Sequence, residues 1–408
     1  MSKIDSEFEK PARFPFQPAG ISDEVIFLDF KHIPKGKNCQ TSALHKLCHH
    51  YNLDISEEML VGIGSGLGFI YWHMKNMPMP FAGAMNSGKF PGLIGRIVER
   101  LGGSCKVFKT SSVKTAHKHL KDTLRMGQPA FVCVDIAYVD YFGAKEDEHF
   151  GQHTFLVYGI DEPQNIAYIA DRYDVVCTLP LTRLQQARAS PYPPFPAKNQ
   201  MVQFTFPKKL PDLSTIIPFA LKENIDYMFN PPIKNIGLAG ILKWRKELDR
   251  YPQIIPDPLN LVGSLMWHFV YIETGGSGGS FFRKIYTDFL HEAYEITDNV
   301  TYSDASTMFA EIADVWKEIA FNFLPDKYPE LREIREIQYA NNDEMERKGN
   351  GALKGILSRR KKLAELSQNS AKYITTEFPK IIKPVQQLLQ KVHDLELEVF
   401  KKLDDEIS

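Results

Sequence analysis

Near residue 212 the hydrophobic pattern of this chain changes its period, and that change limits the architectures open to it. Before it lie apolar runs of strand length. Ala130–Ile136 (AFVCVDI), Gln152–Ile160 (QHTFLVYGI) and Ile166–Asp171 (IAYIAD) are rich in β-formers, and Met201–Phe206 adds a shorter run. The second and third are separated by Asp161-Glu162-Pro163-Gln164-Asn165, a turn signal, so they read as an antiparallel hairpin. Apolar residues on both of its faces predict a sheet covered on both sides. After residue 212 the spacing is helical. Ala305, Met308, Phe309, Ile312, Trp316, Ile319 and Phe323 form one apolar stripe, and Ile381, Val385, Leu388, Val392, Leu395, Val399 and Leu403 form another. Strands gathered in the first half and helices in the second predict an α+β chain with a mainly α-helical C-terminal part.

Helices are also expected among the early residues. Ala43, Leu44, Leu47, Cys48 and Tyr51 recur at helical spacing after Cys39. Ser56 before Glu57 and Glu58 is an N-cap with acids in the first turn. Gly92–Leu101 and Val113–Leu124 are two further helices. The proline-rich stretch Ser190–Lys198 reads as a linker, and Pro11, Pro15 and Pro18 as an extended arm. The expected division is an arm over 1–30, a sheet-bearing domain over 31–210, a helical domain over 211–335 and C-terminal helices over 336–408. The last helix is a candidate surface for pairing two subunits into a homodimer.

With 408 residues, 43% hydrophobic and 24% charged, the chain can bury a core without disulfide or metal staples. A net charge of −1 argues against a general nucleic-acid binder. The five cysteines include no CxxC pair, which fits a reducing compartment. The opening MSKIDSEFEKPARF has no apolar core of a signal peptide, and no apolar run is long enough to span a bilayer. A cytoplasmic location is expected.

Cys39 opens a helix after the loop Pro34-Lys35-Gly36-Lys37-Asn38. A helix N-terminus favours negative charge, so it lowers a thiol pKa and supplies free N–H groups for an oxyanion. In the hairpin, a turn centred near Glu162 sets His153 opposite Asp171 on one face, with Cβ atoms roughly 4.5–5.5 Å apart. The carboxylate then accepts the imidazole Nδ1 proton and leaves Nε2 for the thiol. A Cys-His-Asp triad follows, against the blander alternatives of a packed cysteine and a structural His–Asp pair.

That order resembles the papain-like proteins. More closely it resembles the N-terminal domain of the butirosin-biosynthesis H-type acyltransferases, relatives of the bacteriocin-leader-processing cysteine peptidases. The matching stretches are Asn38-Cys39-Gln40-Thr41-Ser42-Ala43-Leu44, Ile55-Ser56-Glu57-Glu58 and Gly62-Ile63-Gly64-Ser65-Gly66-Leu67-Gly68-Phe69, then Gln152–Asp161 and Ile169-Ala170-Asp171. The second half resembles the helical domain of unknown function that follows in such proteins, through Glu273-Thr274-Gly275-Gly276-Ser277-Gly278-Gly279, Arg283 and Trp316. The resemblance implies a papain-like catalytic domain with Cys39 as nucleophile, His153 as base and Asp171 as orienting acid. It implies acyl transfer from the phosphopantetheine of an acyl carrier protein to a small amine or hydroxyl acceptor, with no metal and no cofactor of the chain's own. The peptidases carry an oxyanion Gln six residues before the Cys, where this chain has Ile33. The Cys39 N–H, Asn38, His32 and Gln152 are the candidate donors instead. The alternatives are a thioesterase or peptidase with the same triad, or a non-catalytic binding protein on the scaffold.

The Gly62–Gly68 run lacks a phosphate-binding lysine and follows a helix, so it reads as close backbone packing. Gly66, Gly275, Gly276 and Arg283 are candidates for lining a substrate channel. His45, Cys48 and His49 lack a second ligand pair nearby, so no metal site is expected. Lys354, Arg359, Arg360, Lys361 and Lys362 form either a carrier docking patch or a solvated helix face.

Overall fold

The computed structural model describes residues 20–21, 24–73, 77, 79–145 and 147–407. Pro11, Pro15 and Pro18, and with them most of the expected arm, lie outside the described residues. The first part runs β1 (Gly20–Ile21), β2 (Val25–Phe27), α1 (Cys39–His50), α2 (Glu57–Ile63), β3 (Leu67–Trp72), β4 (Phe81–Met85), α3 (Gly92–Arg100) and β5 (Ser104–Phe108). It continues through α4 (Val113–Arg125), β6 (Ala130–Val134), β7 (His153–Asp161), β8 (Ile166–Ala170), β9 (Cys177–Pro180), α5 (Leu181–Ala189) and β10 (Met201–Thr205). The second part is helical: α6 (Leu213–Phe229), α7 (Gly237–Glu247), α8 (Tyr251–Ile254), α9 (Pro258–Glu273), α10 (Arg283–Thr297), α11 (Val300–Phe323), α12 (Pro329–Lys348), α13 (Leu353–Ala371) and α14 (Ile374–Ile407). The fold is α+β, as the change of period near residue 212 predicts.

The main sheet is antiparallel, ordered β1-β2-β7-β6-β10-β5, with β8 on the other side of β7 and β9 beyond it. Every residue of β6 and β7 is buried, because apolar side chains leave both faces of the sheet. Phe131, Leu156 and Ala170 join the cluster containing α1, while Val132, Phe155, Val157 and Ile169 join the cluster beneath α4 and α5.

The hairpin register differs from the expected one, and the difference cancels where it matters. The turn occupies Glu162–Asn165, with Asn165 in the left-handed region at φ 56° and its N–H donating to the Glu162 carbonyl. Asp161 therefore pairs with Ile166, three positions away from the expected register. An odd shift would put His153 and Asp171 on opposite faces. A bulge between Val157 and Gly159 takes back one residue, so Leu156 pairs with Ala170. The net shift is even. Continuing that register, Asp171 falls opposite Phe155, a diagonal same-face neighbour of His153.

The glycines after α2 lead into the β3–β4 hairpin, which no strand pattern announced. One apolar cluster holds Leu44, Leu47 and Met59 together with Trp244, Phe269, Trp316 and Leu389. Residue 335 lies within α12.

Arg283 anchors that shared core. It is fully buried, its guanidinium pairs both carboxylate oxygens of Glu396 at 2.8 and 2.9 Å, and it stacks over Trp316 at 5.0 Å. Trp316 Nε1–H donates to the same carboxylate, and Arg283 also donates to the Gly68 and Phe281 carbonyls. Removing one member strands the other charge. Glu396→Ala is expected to destabilise the fold by about 3–5 kcal/mol, read as a lower denaturant midpoint, and an unchanged midpoint would contradict this role.

Candidate active site

Asn38 caps α1: its Oδ1 accepts the N–H groups of Gln40 at 2.9 Å and Thr41 at 3.3 Å. That cap leaves Cys39, half-buried, as the first helical residue. His153 is the first residue of β7 and sits close enough to the Cys39 thiol for each to shift the other's pKa. Asp171 follows β8, and its Oδ2 is 2.9 Å from His153 Nε2. The carboxylate thus engages Nε2 and leaves Nδ1 as the uncommitted ring nitrogen, the reverse of the arrangement expected from sequence. Asp171 is also held by Tyr141, whose hydroxyl donates to Oδ2 at 2.8 Å, and by the Arg172 N–H, which donates to Oδ1 at 2.7 Å.

The electrostatics follow from this geometry. Burial pushes the Asp171 pKa up, but the His153 charge and the three donors outweigh it and hold the carboxylate below its usual range. Burial pushes His153 down, yet Asp171 and then Cys39 raise it to about 10. Burial also pushes the Cys39 thiol up, and His153 chiefly brings it below the usual thiol range. The other four cysteines all move the opposite way. Burial takes Cys48 and Cys177 to about 12 and raises Cys105 and Cys133. Cys39 is therefore the one thiol of the five whose surroundings favour the thiolate.

The remaining candidates divide. Gly276 lines a cleft of about 790 Å³, whose walls come from the segments beside Cys39 and Asp171 (Gly36, Lys37, Arg172), the glycine-rich loop, and α10, α11 and α12. The Asn38 Nδ2 donates to the Gly276 carbonyl at 2.9 Å, so the loop abuts the cysteine. Gly275 packs on the Val270 carbonyl and is not in that wall. Gly66 packs against Val61 and Leu93, and Arg283 is committed to its buried ion pair, so neither lines the cleft. Of the oxyanion candidates, Asn38 uses both ends of its amide in the contacts above, and His32 Nε2 contacts the Tyr173 carbonyl at 2.9 Å. Gln152 is half-buried next to His153. In the basic stretch, Arg359 pairs with Glu344 and Lys362 with Glu333, Arg360 is half-buried, and Lys354 and Lys361 are exposed. No three His, Cys, Asp or Glu side chains among the described residues are placed to hold a metal ion. Tyr141 was missed, because nothing local marks it and it is thirty residues from its partner.

Residues 38–172, from the helix cap to just past the acid, match the family model of the N-terminal domain of butirosin biosynthesis protein H. The sheet-bearing part of this chain is thus similar to that family. Residues 182–343 match the model of a domain of unknown function, DUF4872, so the chain has the butirosin-H domain pair. A search of curated proteins finds no match. No helix among the described residues is long and apolar enough to cross a membrane.

Proposed function

We propose that this chain, whose family points to a biosynthetic enzyme, is a cysteine-dependent acyltransferase that works through an acyl-Cys39 intermediate. The observation that carries the reading is the Cys39–His153–Asp171 arrangement, with Cys39 the one thiol drawn below its usual pKa. The resting pair is a thiolate and an imidazolium. The Cys39 sulfur attacks an acyl thioester carbonyl, and the electron pair of the C=O moves onto oxygen. As the intermediate collapses, the C–S bond to the donor breaks and His153 protonates the leaving thiol. An amine or hydroxyl then attacks acyl-Cys39 while the now neutral His153 takes its proton, and the Cys39 thiolate departs. Asp171 holds the ring and stabilises its charged form.

The cleft beside the triad, lined by neighbours of Cys39 and Asp171 and not by the triad residues themselves, suits a hydrophilic acceptor. Its lining is charged or polar throughout apart from glycines, Ala310 and Ala313, and it offers both cations and carboxylates. Such walls suit a molecule carrying amines and hydroxyls.

The acyl donor in this reading is a carrier protein. Lys354, Leu357, Ser358 and Lys361 form one exposed face of α13. Exposed Val175 and Val176 follow Asp174 of the cleft wall, and Val175 packs by Gly349 ahead of α13. An apolar strip with flanking lysines fits an acidic partner surface. Reversing Lys354 and Lys361 to Glu is expected to slow transfer from a carrier-borne thioester by about tenfold at low salt, less at high salt, and to leave a small N-acetylcysteamine thioester unaffected. Unchanged carrier kinetics would remove this face from the account. Equal loss on both substrates would mean that the site itself was damaged.

A further inference from the structure

The backbone around the nucleophile has a complete hydrogen-bond account, and one buried residue outside the triad decides its outcome. Glu57, the first residue of α2, is 3% exposed. Its Oε2 accepts the Lys37 N–H at 2.9 Å, and its Oε1 accepts the Asn38 N–H at 2.8 Å and the Thr41 hydroxyl at 2.6 Å. Two residues further on, the Asn38 Oδ1 takes the N–H groups of Gln40 and Thr41, and the Asn38 carbonyl takes that of Ser42 at 2.8 Å. Every backbone donor from Lys37 to Ser42 is thus used except one. Among the described residues the Cys39 N–H has no hydrogen-bond partner.

A carboxylate at this place needs explaining. A negative charge near the start of α1 competes with the thiolate for the same helix terminus, and burying it has a desolvation cost. As a cap for α1 it is redundant, because Asn38 already serves the second and third helical N–H groups. What it does uniquely is fix the two peptides before Cys39. Their N–H groups turn inward to Glu57, and the next one, on Cys39, is left for the half-buried side where the thiol sits.

We propose that Glu57 is a positioning residue of the thiol site: its carboxylate holds the Lys37–Asn38 backbone so that the Cys39 N–H stays free and aimed as the oxyanion donor. The inference rests on the acyl-transfer reading above.

Thiol alkylation and thioester acylation separate this role from a merely structural one. Displacement of iodide from iodoacetamide forms no oxyanion, whereas attack on an N-acetylcysteamine thioester does. Glu57→Gln keeps the size but not the second acceptor oxygen. It is expected to lower the rate of Cys39 acylation by about 100-fold, while Cys39 alkylation at pH 7, followed by peptide mapping, stays within about threefold. Glu57→Asp keeps the charge but shortens the reach, and is expected to give an intermediate loss with the same split should the Gln variant fail to fold. Equal loss in both assays, or no loss of acylation, would overturn the positioning role while leaving the acyltransferase reading in place. Failure of the wild-type chain to acylate would overturn that reading and this one with it.

Discussion

Cys39→Ser folds as the parent does and loses acyl transfer by on the order of 10³-fold or more. The fold is expected to survive because the start of α1 is held by Asn38 and Glu57, through contacts that do not involve the sulfur. Activity goes because a serine hydroxyl is not ionised at neutral pH by an imidazolium, and because the pair with His153 cannot form. The check is turnover on a small acyl thioester beside a thermal melt. A variant that melts normally and still transfers would remove Cys39 from the chemistry.

Asp171→Asn is the second large effect, expected at about 10³- to 10⁴-fold in turnover. The carboxylate accepts from His153, Tyr141 and the Arg172 N–H, and an amide oxygen with one acceptor atom cannot serve all three. The sign of the accompanying pH change follows from the causes of each shift. Asp171 is the main reason that His153 stays protonated up to about 10, against burial. Without it burial prevails and the imidazole loses its proton at lower pH. The thiolate then loses the cation that lowered its pKa. The pH profile of Cys39 alkylation should therefore move to higher pH in the variant. A variant whose profile and turnover match the parent would make the His153–Asp171 pair purely structural.

Some of this was legible in the sequence because it is local. The hairpin, its turn, the Ser56 cap and the helix opening at Cys39 depend on neighbours a few residues apart, and they fold as read. The exact pairing was not legible. The turn and the bulge at Tyr158 each move the register by amounts that residue types alone do not fix, and His153 meets Asp171 because the two shifts sum to an even number. The reversed ring nitrogens come from the same diagonal approach. Arg283 misled for the opposite reason. An arginine after a glycine run reads as a binding group, but its partner Glu396 lies more than a hundred residues away on α14. Glu57 read as an ordinary first-turn acid of α2 for the same want of long-range information, since its contacts are with the loop before α1.

The central claim is that an acyl group rests on Cys39 between donor and acceptor. Its most direct test is peptide-mapped mass spectrometry of the wild-type chain incubated with an acyl N-acetylcysteamine thioester, with and without a small polyhydroxylated amine. The account predicts one acyl adduct, on the peptide holding Cys39, that is discharged faster by the amine than by water and appears as an acylated amine. An adduct on another cysteine, or no adduct at all while the thioester is consumed, would contradict it.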